Sequence, residues 1–151
     1  MTEIEKIFAN LEKNFMGASS ERFSEKTVEL ASEPRNTGEL TDADGKGLAR
    51  GECGDTITVF LKTDNGTITD ARFLADGCGA TLACGSAVTE LAKGRSLFYA
   101  RSIYPQTIIK FLGGLPASHM HCSVLAVHAL RKALEHIDIN QEVKDNASNP
   151  V

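Results

Sequence analysis

The sequence lacks the features that place a chain in a membrane or on a polyanion. Its first residues, Met1 to Lys6, have neither the basic start nor the apolar run of a secretion signal, and no apolar stretch reaches the length that spans a bilayer. Basic residues are not in excess, since the net charge is -4 and the pI is about 5.6. Nucleic acids and anionic membranes select basic surfaces. We therefore expect a cytoplasmic protein that binds neither nucleic acids nor membranes.

Several chemical motifs are also missing. The cysteines include no close CxxC pair of the kind that marks a structural zinc knuckle. Gly113-Gly114 has no strand, lysine or GxGxxG context, which excludes a phosphate cradle there. Neither a Ser/His/Asp triad nor a pair of carboxylates can be argued from spacing. Nothing in the sequence therefore specifies a hydrolase.

What the sequence does contain is the pattern of one α+β domain. The β-rich runs 56–62 and 67–75 flank Asn65-Gly66, a hairpin signal, and residues 47–52 add a third strand. Helical spacing and capping signals predict helices over 2–16, 24–32, 79–93, 96–101 and 105–112, and a last helix that opens at Ser118. We predict a small antiparallel sheet of about three strands packed against several helices.

The chain length of 151 residues fits a single domain with a real hydrophobic core. Residues 1–23 are expected to form an N-terminal helical extension, and 24–137 the main domain. Residues 138–151 are polar and aperiodic, which predicts a loose tail.

Three of the four cysteines stand at turns or helix starts. Cys53 and Cys78 each have glycine beside them, and Cys122 is predicted in the first turn of the last helix, with Ser118 as the N-cap. Unpaired backbone N–H groups in that turn favour a thiolate at Cys122. In a reducing compartment such cysteines are more often free, catalytic or metal-bound than paired. Cys84 lies on an apolar stripe, which predicts a small buried hydrophobe.

Two further donors flank these thiols. Asp55 lies two residues after Cys53, and His121 directly precedes Cys122. Three thiols, a carboxylate and an imidazole are all groups that bind metals in proteins, so this set predicts a metal site. Asp55 can equally be a strand-start residue or a local cap. His121 and Cys122 should point about 100° apart around a helix, so His121 is expected to be an alternative ligand rather than a constant one.

The other histidines have simpler interpretations. His119 is predicted to be a solvated helix-start residue, with a spare ligand or a partner-recognition role as the alternative. His128 lies two turns beyond His121, about 10 Å along the helix, which is too far for one metal. His128 and His136 are therefore expected to be ordinary helix residues.

Four separated motifs resemble one family. They are SEKTVELASEPRNTG at 24–38, CGD at 53–55, DARFLADGCGA at 70–80 and HCSVLA at 121–126. In this order they resemble the IscU/NifU N-terminal type of iron-sulfur cluster assembly scaffold, over residues 24–136. The related SufU-type scaffolds carry an insertion for which there is no room between Cys78 and Cys122. The resemblance implies an IscU/SufE-like fold.

The resemblance also implies the site. Cys53, Cys78 and Cys122 would bind a labile 2Fe-2S cluster, with His121 as an available fourth ligand and Asp55 as the acidic residue beside the cluster. A cysteine desulfurase would supply sulfur, with Cys122 as persulfide acceptor, and apo-proteins such as ferredoxin would receive the cluster. A hard carboxylate is a poor match for the cluster, so Asp55 should favour its release. The same five donors also suit iron or Zn²⁺.

The chain departs from the family pattern at two places. Bacterial IscU has Leu-Pro-Pro-Val-Lys as a recognition motif for an Hsp70-type chaperone, and this chain has Leu115-Pro116-Ala117-Ser118-His119. The sequence therefore does not decide whether an Hsp70-type chaperone is a partner. Cys84 stands where the resemblance implies a small serine-like residue.

The leading hypothesis is a non-enzymatic scaffold that builds and transfers a cluster, as a monomer or homo-oligomer. A sulfur-relay protein that carries persulfide on Cys122 is one alternative. A zinc-stabilised interaction module is the other.

Overall fold

The computed structural model describes residues 3–4 and 22–148, with side chains up to residue 144. The elements in this part of the chain are helix α1 (Glu25–Ser32), strands β1 (Gly45–Arg50), β2 (Thr56–Asp64) and β3 (Thr67–Asp76), helices α2 (Gly79–Ala92), α3 (Leu97–Arg101) and α4 (Pro105–Leu112), a 3-10 turn (Ala117–His119) and helix α5 (Met120–Ser148). The predicted α+β class is confirmed. Of the helix predicted over 2–16, the structure describes only residues 3–4, which are helical. Most of the N-terminal extension predicted over 1–23 also lies outside the described residues.

The three strands form one antiparallel sheet in the order β1-β2-β3. Ile57, Val59 and Leu61 of the central strand are fully buried, as their alternation with more polar residues predicts. The β2-β3 hairpin turns through Asn65 and Gly66, with φ values of 50° and 79°. Two positive φ angles are what the Asn-Gly pair provides in a tight hairpin. The predicted strands are confirmed, and their bounds differ by one or two residues.

The helices cover one face of this sheet. Helix α2 packs on β3, helix α5 packs on β1 and β2, and α1 packs on α2. The core between these layers is built from small and aliphatic side chains, and Phe73 is the largest that is fully buried. Within the described residues, none of the helices is long and apolar enough to cross a membrane.

The packing of α5 on β1 depends on two glycines. A Cβ atom at Gly47 would overlap the carbonyl oxygen of Ala129, and one at Gly45 would overlap that of Ala133. Helix backbone therefore lies almost directly on strand backbone, which a side chain on this face of β1 would prevent.

The same contacts give the direction of α5. Its earlier residue Leu125 lies beside Gly51, just after the end of β1, and its later residue Ile137 lies beside Gly45 at the strand start. The helix thus runs antiparallel to β1. Its first turn lies near the β1-β2 turn, and Asp76 at the end of β3 pairs with Thr56 at the same end of the sheet. This topology brings residues 51–55, 77–79 and 120–122 towards one end of the sheet.

The segment 33–38 is irregular and firmly attached. Asn36, at φ 64°, accepts from the backbone N–H of Phe73, and its side chain donates to Thr89 (3.2 Å) and Glu90 (3.0 Å) of α2. Gly38 donates to the Phe73 carbonyl at 2.9 Å. These contacts extend the β3 edge of the sheet, so this segment of the 24–38 motif clamps α2 to the sheet.

The last helix differs from its prediction at its start. Ser118 is not an N-cap, because the 3-10 turn Ala117–His119 precedes α5 and is entered from Pro116. Pro116 has a φ of -57°, a value that leads into such a turn.

The last helix also differs at its end. It continues to Ser148, through most of the segment predicted as a loose tail. Tertiary contacts explain the difference, because Asn140 donates to the Asp44 carbonyl at 3.0 Å and Asp138 pairs with Arg101 at 2.8 Å. Ile139 and Val143 are exposed, so the apolar residues in this last part of the helix do not mark a face that packs on the core.

We expect Gly47→Ala to lower the free energy of unfolding by about 2 to 3 kcal/mol, because the backbone of α5 cannot yield as a flexible side chain would. Chemical denaturation followed by circular dichroism measures this. Gly51→Ala is the matched control, since the nearest atoms to a Cβ there lie at 3.8 Å. Equal stability of the two variants would contradict the close packing.

Candidate metal centre

Two of the predicted donors belong to the β1-β2 turn. Hydrogen bonds from Gly51 to the Asp55 carbonyl (2.8 Å) and from Gly54 to the Gly51 carbonyl (3.0 Å) hold this turn compact. Cys53 is exposed at its tip. The Asp55 side chain is only 11% exposed and precedes the first residue of β2. The turn therefore presents one thiol to solvent and one carboxylate to the protein.

The other predicted donors lie at helix starts. Cys78 is the N-cap residue of α2 and is half-buried. His121 and Cys122 lie in the first turn of α5, where Cys122 is fully buried and the His121 side chain is 48% exposed. The sequence correctly predicts the helix-start setting of Cys122.

Asp55, His121 and Cys122 converge. One ligand atom from each lies within 4.8 Å of the others. His121 Nε2 is 3.8 Å from Asp55 Oδ2 and 3.7 Å from Cys122 Sγ. The expectation that His121 and Cys122 diverge is wrong at this position, because the long imidazole side chain carries Nε2 back towards the sulfur. A carboxylate oxygen, an imidazole nitrogen and a sulfur at this spacing can surround one metal ion.

Thr81 lies among these donors, and sequence reasoning missed it. It is fully buried, and its hydroxyl donates to Asp55 Oδ2 at 3.3 Å. The same oxygen lies 3.6 Å from Cys78 Sγ and 3.7 Å from Cys122 Sγ. A signal was present, since residues three apart in a first helical turn share a face, which places Thr81 beside Cys78.

The two inner thiols differ in acidity. The Cys122 thiol, acting as a hydrogen-bond donor, lowers the pKa of Cys78 to about 4. Burial opposes this shift, while the backbone N–H groups of Thr81 and Ala80 support it. Donation to Cys78 and burial raise the pKa of Cys122. In the metal-free protein these contacts favour the charge on Cys78 over Cys122, in contrast to the thiolate expected at Cys122 from its helix-start position alone. The half-exposed Cys78 carries the charge, because a fully buried sulfur loses more hydration on ionising.

Cys53 lies apart from the tight cluster. It lines a groove of about 470 Å³ together with His121, Leu125 and His128. The structure thus brings together Asp55, Cys78, His121 and Cys122, directly or through Thr81, and leaves Cys53 across the open groove.

The remaining histidines and Cys84 have separate settings. The His119 ring packs edge-on against Phe23 at 5.1 Å and stacks on His121 at 6.3 Å, so this residue, predicted to be solvated, is partly buried. His136 accepts from the backbone N–H of Lys46 on the β1 edge, at 3.0 Å. Cys84 is fully buried, as predicted, and burial raises the pKa of its thiol.

These features define an α+β domain with a candidate site for a thiophilic metal at one end of its sheet. Residues 22–144 match the family model described as the NifU-like N terminal domain. The chain therefore belongs to the NifU-like N-terminal domain family, and the resemblance seen in the sequence is confirmed.

Named relatives agree with this membership. The chain is 41% identical over 113 residues to the iron-sulfur cluster assembly scaffold protein IscU 1 of Archaeoglobus fulgidus, covering 74% of each chain. It is 38% identical to IscU of Escherichia coli (strain K12), covering 81% of this chain and 98% of that one. The nitrogen fixation protein NifU of Cereibacter sphaeroides is 42% identical, with 45% of its length covered.

A solved structure agrees with the fold. The N-terminal part of a NifU-like protein from Brucella abortus superposes with a TM-score of 0.60, at 20% identity, covering 76% of this chain and 92% of that one.

We expect brief iodoacetamide treatment of the metal-free protein at about pH 6 to modify Cys53 and Cys78 before Cys84 and Cys122. Cys53 is exposed and Cys78 is ionised, whereas the other two thiols are fully buried. Peptide mass spectrometry measures the order, and the denatured protein, in which all four cysteines react, is the control. Modification of Cys122 as fast as Cys53 would contradict the described site.

Proposed function

We propose that this protein is a scaffold on which a labile 2Fe-2S cluster is assembled from iron and desulfurase-derived sulfur, and from which the cluster passes to apo-proteins. The scaffold domain spans residues 24–137 in this proposal. The observation that carries it is the convergence of Asp55, His121 and Cys122 beside Cys78. Membership of a family whose relatives are named as cluster assembly scaffolds supports it.

The candidate donors fit the ligand preferences of an iron-sulfur cluster. Thiolates are the usual ligands of iron-sulfur clusters, and Cys53, Cys78 and Cys122 would supply them. His121 or Asp55 would complete the set. Cys53 would join from the exposed tip of the 51–55 turn by moving across the groove that it lines, while Asp55 stays held by Thr81. A mixed ligand set of this kind holds a cluster less firmly than four thiolates, as a scaffold requires.

The partners follow from the same chemistry. A cysteine desulfurase would deliver sulfur to the open groove, and apo-proteins such as ferredoxin would take the finished cluster there. Cys122 as persulfide acceptor stays a proposal, and because Cys122 is fully buried it requires the site to open. The cytoplasm is the proposed compartment, and an Hsp70-type chaperone is an optional partner.

Anaerobic reconstitution tests the function. The protein is mixed with Fe²⁺, cysteine and a cysteine desulfurase, and absorption and circular dichroism are followed while apo-ferredoxin is added. We expect a 2Fe-2S spectrum that moves to ferredoxin and that is abolished by Cys53→Ser, Cys78→Ser or Cys122→Ser. Cys84→Ser is the matched control and should leave the spectrum unchanged, because Cys84 lies in the apolar core.

Two other outcomes would replace the proposal. A persulfide on a single essential cysteine, with no retained cluster, would make the protein a sulfur relay. Zinc that stays bound and strongly stabilises the fold, with no transferable cluster, would make it a zinc-stabilised interaction module.

We expect Asp55→Ala to lengthen the lifetime of the reconstituted cluster by several-fold, because a hard oxygen donor is removed from beside soft ligands. The decay of visible absorption under chelator measures the lifetime. Asp64→Ala is the control, since Asp64 is exposed at the far end of β2. Equal or faster decay in Asp55→Ala would remove the proposed role of Asp55 in release.

A further inference from the structure

The Thr81 hydroxyl lies at the meeting point of the inner donors. It donates to Asp55 Oδ2 at 3.3 Å and lies 3.6 and 3.7 Å from the sulfurs of Cys78 and Cys122. Thr81 comes from α2, Asp55 from the β1-β2 turn and Cys122 from α5. One buried hydroxyl therefore links all three elements that build the site.

Helix structure alone does not account for this arrangement. Thr89, a second fully buried threonine of α2, donates its hydroxyl to backbone carbonyls, to Gly85 at 2.8 Å or Ser86 at 3.1 Å. That is the ordinary way in which a helix satisfies a threonine hydroxyl. Thr81 lies in the first turn and bonds to the Asp55 side chain instead. Its hydroxyl serves the site rather than its own helix.

The neighbouring chain leaves space for this hydroxyl. A Cβ atom at Gly77 would lie 2.8 Å from Thr81 Oγ1 and 3.1 Å from Thr81 Cβ and Cγ2. Any side chain at position 77 would therefore push Thr81 away from the donors. Gly77 is part of the loop that presents Cys78, so the same loop sets the thiol and makes room for the threonine.

We propose that Thr81 is a positioning residue, whose hydroxyl holds the Asp55 carboxylate against the Cys78 and Cys122 sulfurs at a spacing that a metal can use. The inference rests on the proposed function only in taking Asp55 and these thiols as ligands. Hydrogen bonds to ligand side chains fix their orientation and typically change metal affinity by about 10- to 100-fold. Thr81 touches no metal itself in this role.

The test measures Zn²⁺ binding to the full-length, metal-free protein by chelator competition, with Co²⁺ absorption reporting thiolate coordination. Thr81→Val keeps the shape and removes the hydroxyl, and we expect about a 10-fold loss of Zn²⁺ affinity. Thr81→Ser restores the hydroxyl and should restore most of the affinity. Thr89→Val removes a buried hydroxyl from the same helix and should leave Zn²⁺ affinity within about twofold, because Thr89 bonds to backbone carbonyls and to Asn36 and to none of the metal donors.

A double-mutant cycle separates positioning from a general structural role. In the Asp55→Ala background the hydroxyl has no carboxylate to hold, so adding Thr81→Val should change Zn²⁺ affinity by less than about twofold. A structural defect would instead lower affinity equally in both backgrounds. If Thr81→Val does not fold, Gly77→Ala displaces the same hydroxyl and should give a loss in the same direction.

Four results would overturn the proposal. They are Zn²⁺ affinity of Thr81→Val within twofold of the wild type, no rescue by Thr81→Ser, an equal loss in Thr89→Val, and an equal loss from Thr81→Val in the wild-type and Asp55→Ala backgrounds. The proposed function fails separately, when the wild-type protein binds Zn²⁺ with normal Thr81 dependence and yet builds no transferable cluster.

Discussion

The direct contact between the backbones of α5 and β1 is the constraint on which the site depends. Because Gly45 and Gly47 carry no side chains, the helix lies close against the strand along much of its length. That contact aligns α5 antiparallel to β1 and brings its first turn to the end of the sheet where β1 turns into β2. Cys122 and Asp55 are 67 residues apart in sequence (122 minus 55), and this packing is what brings them together.

The site is polar but largely buried, which is costly unless the polar groups satisfy one another. They do so here. Thr81 donates a hydrogen bond to Asp55, and the Cys122 thiol donates a hydrogen bond to the Cys78 sulfur. In the metal-free protein the donors thus stabilise each other. Metal binding must release the proton on Cys122, since a thiol binds metal as a thiolate, so loading competes with an arrangement that is already stable.

Local patterns predicted much of the fold. Alternation in Ile57, Val59 and Leu61, the Asn65-Gly66 pair and helical spacing gave the sheet and most helices, because these signals depend only on neighbouring residues. The continuation of α5 was missed, since contacts such as that of Asn140 with Asp44 come from distant parts of the chain. The 3-10 turn before α5 was missed because Ser118 offered a competing capping signal.

The candidate site, like the fold, has features that local sequence patterns predict and features that depend on distant parts of the chain. The five candidate donors were predicted from their turns, helix starts and motif order, which are sequence features. The helix start alone favours a thiolate at Cys122, whereas burial and the partner thiol favour the charge on Cys78, and neither of these is visible in the sequence. Thr81 was missed because its role comes from Asp55, which lies 26 residues away.

The unequal burial of the three thiols has a consequence for release. Cys122 is held in the core, Cys78 is half-buried, and Cys53 stands on an exposed turn. Cys53, at the exposed tip of its turn, can move without breaking core contacts, whereas Asp55 at the base of the same turn is held by Thr81 and movement of Cys122 would disturb α5. In a protein that must both build and release a cluster, the inner donors would set the position of the cluster. The tip at Cys53 would then be the part that opens, because its movement breaks the fewest contacts.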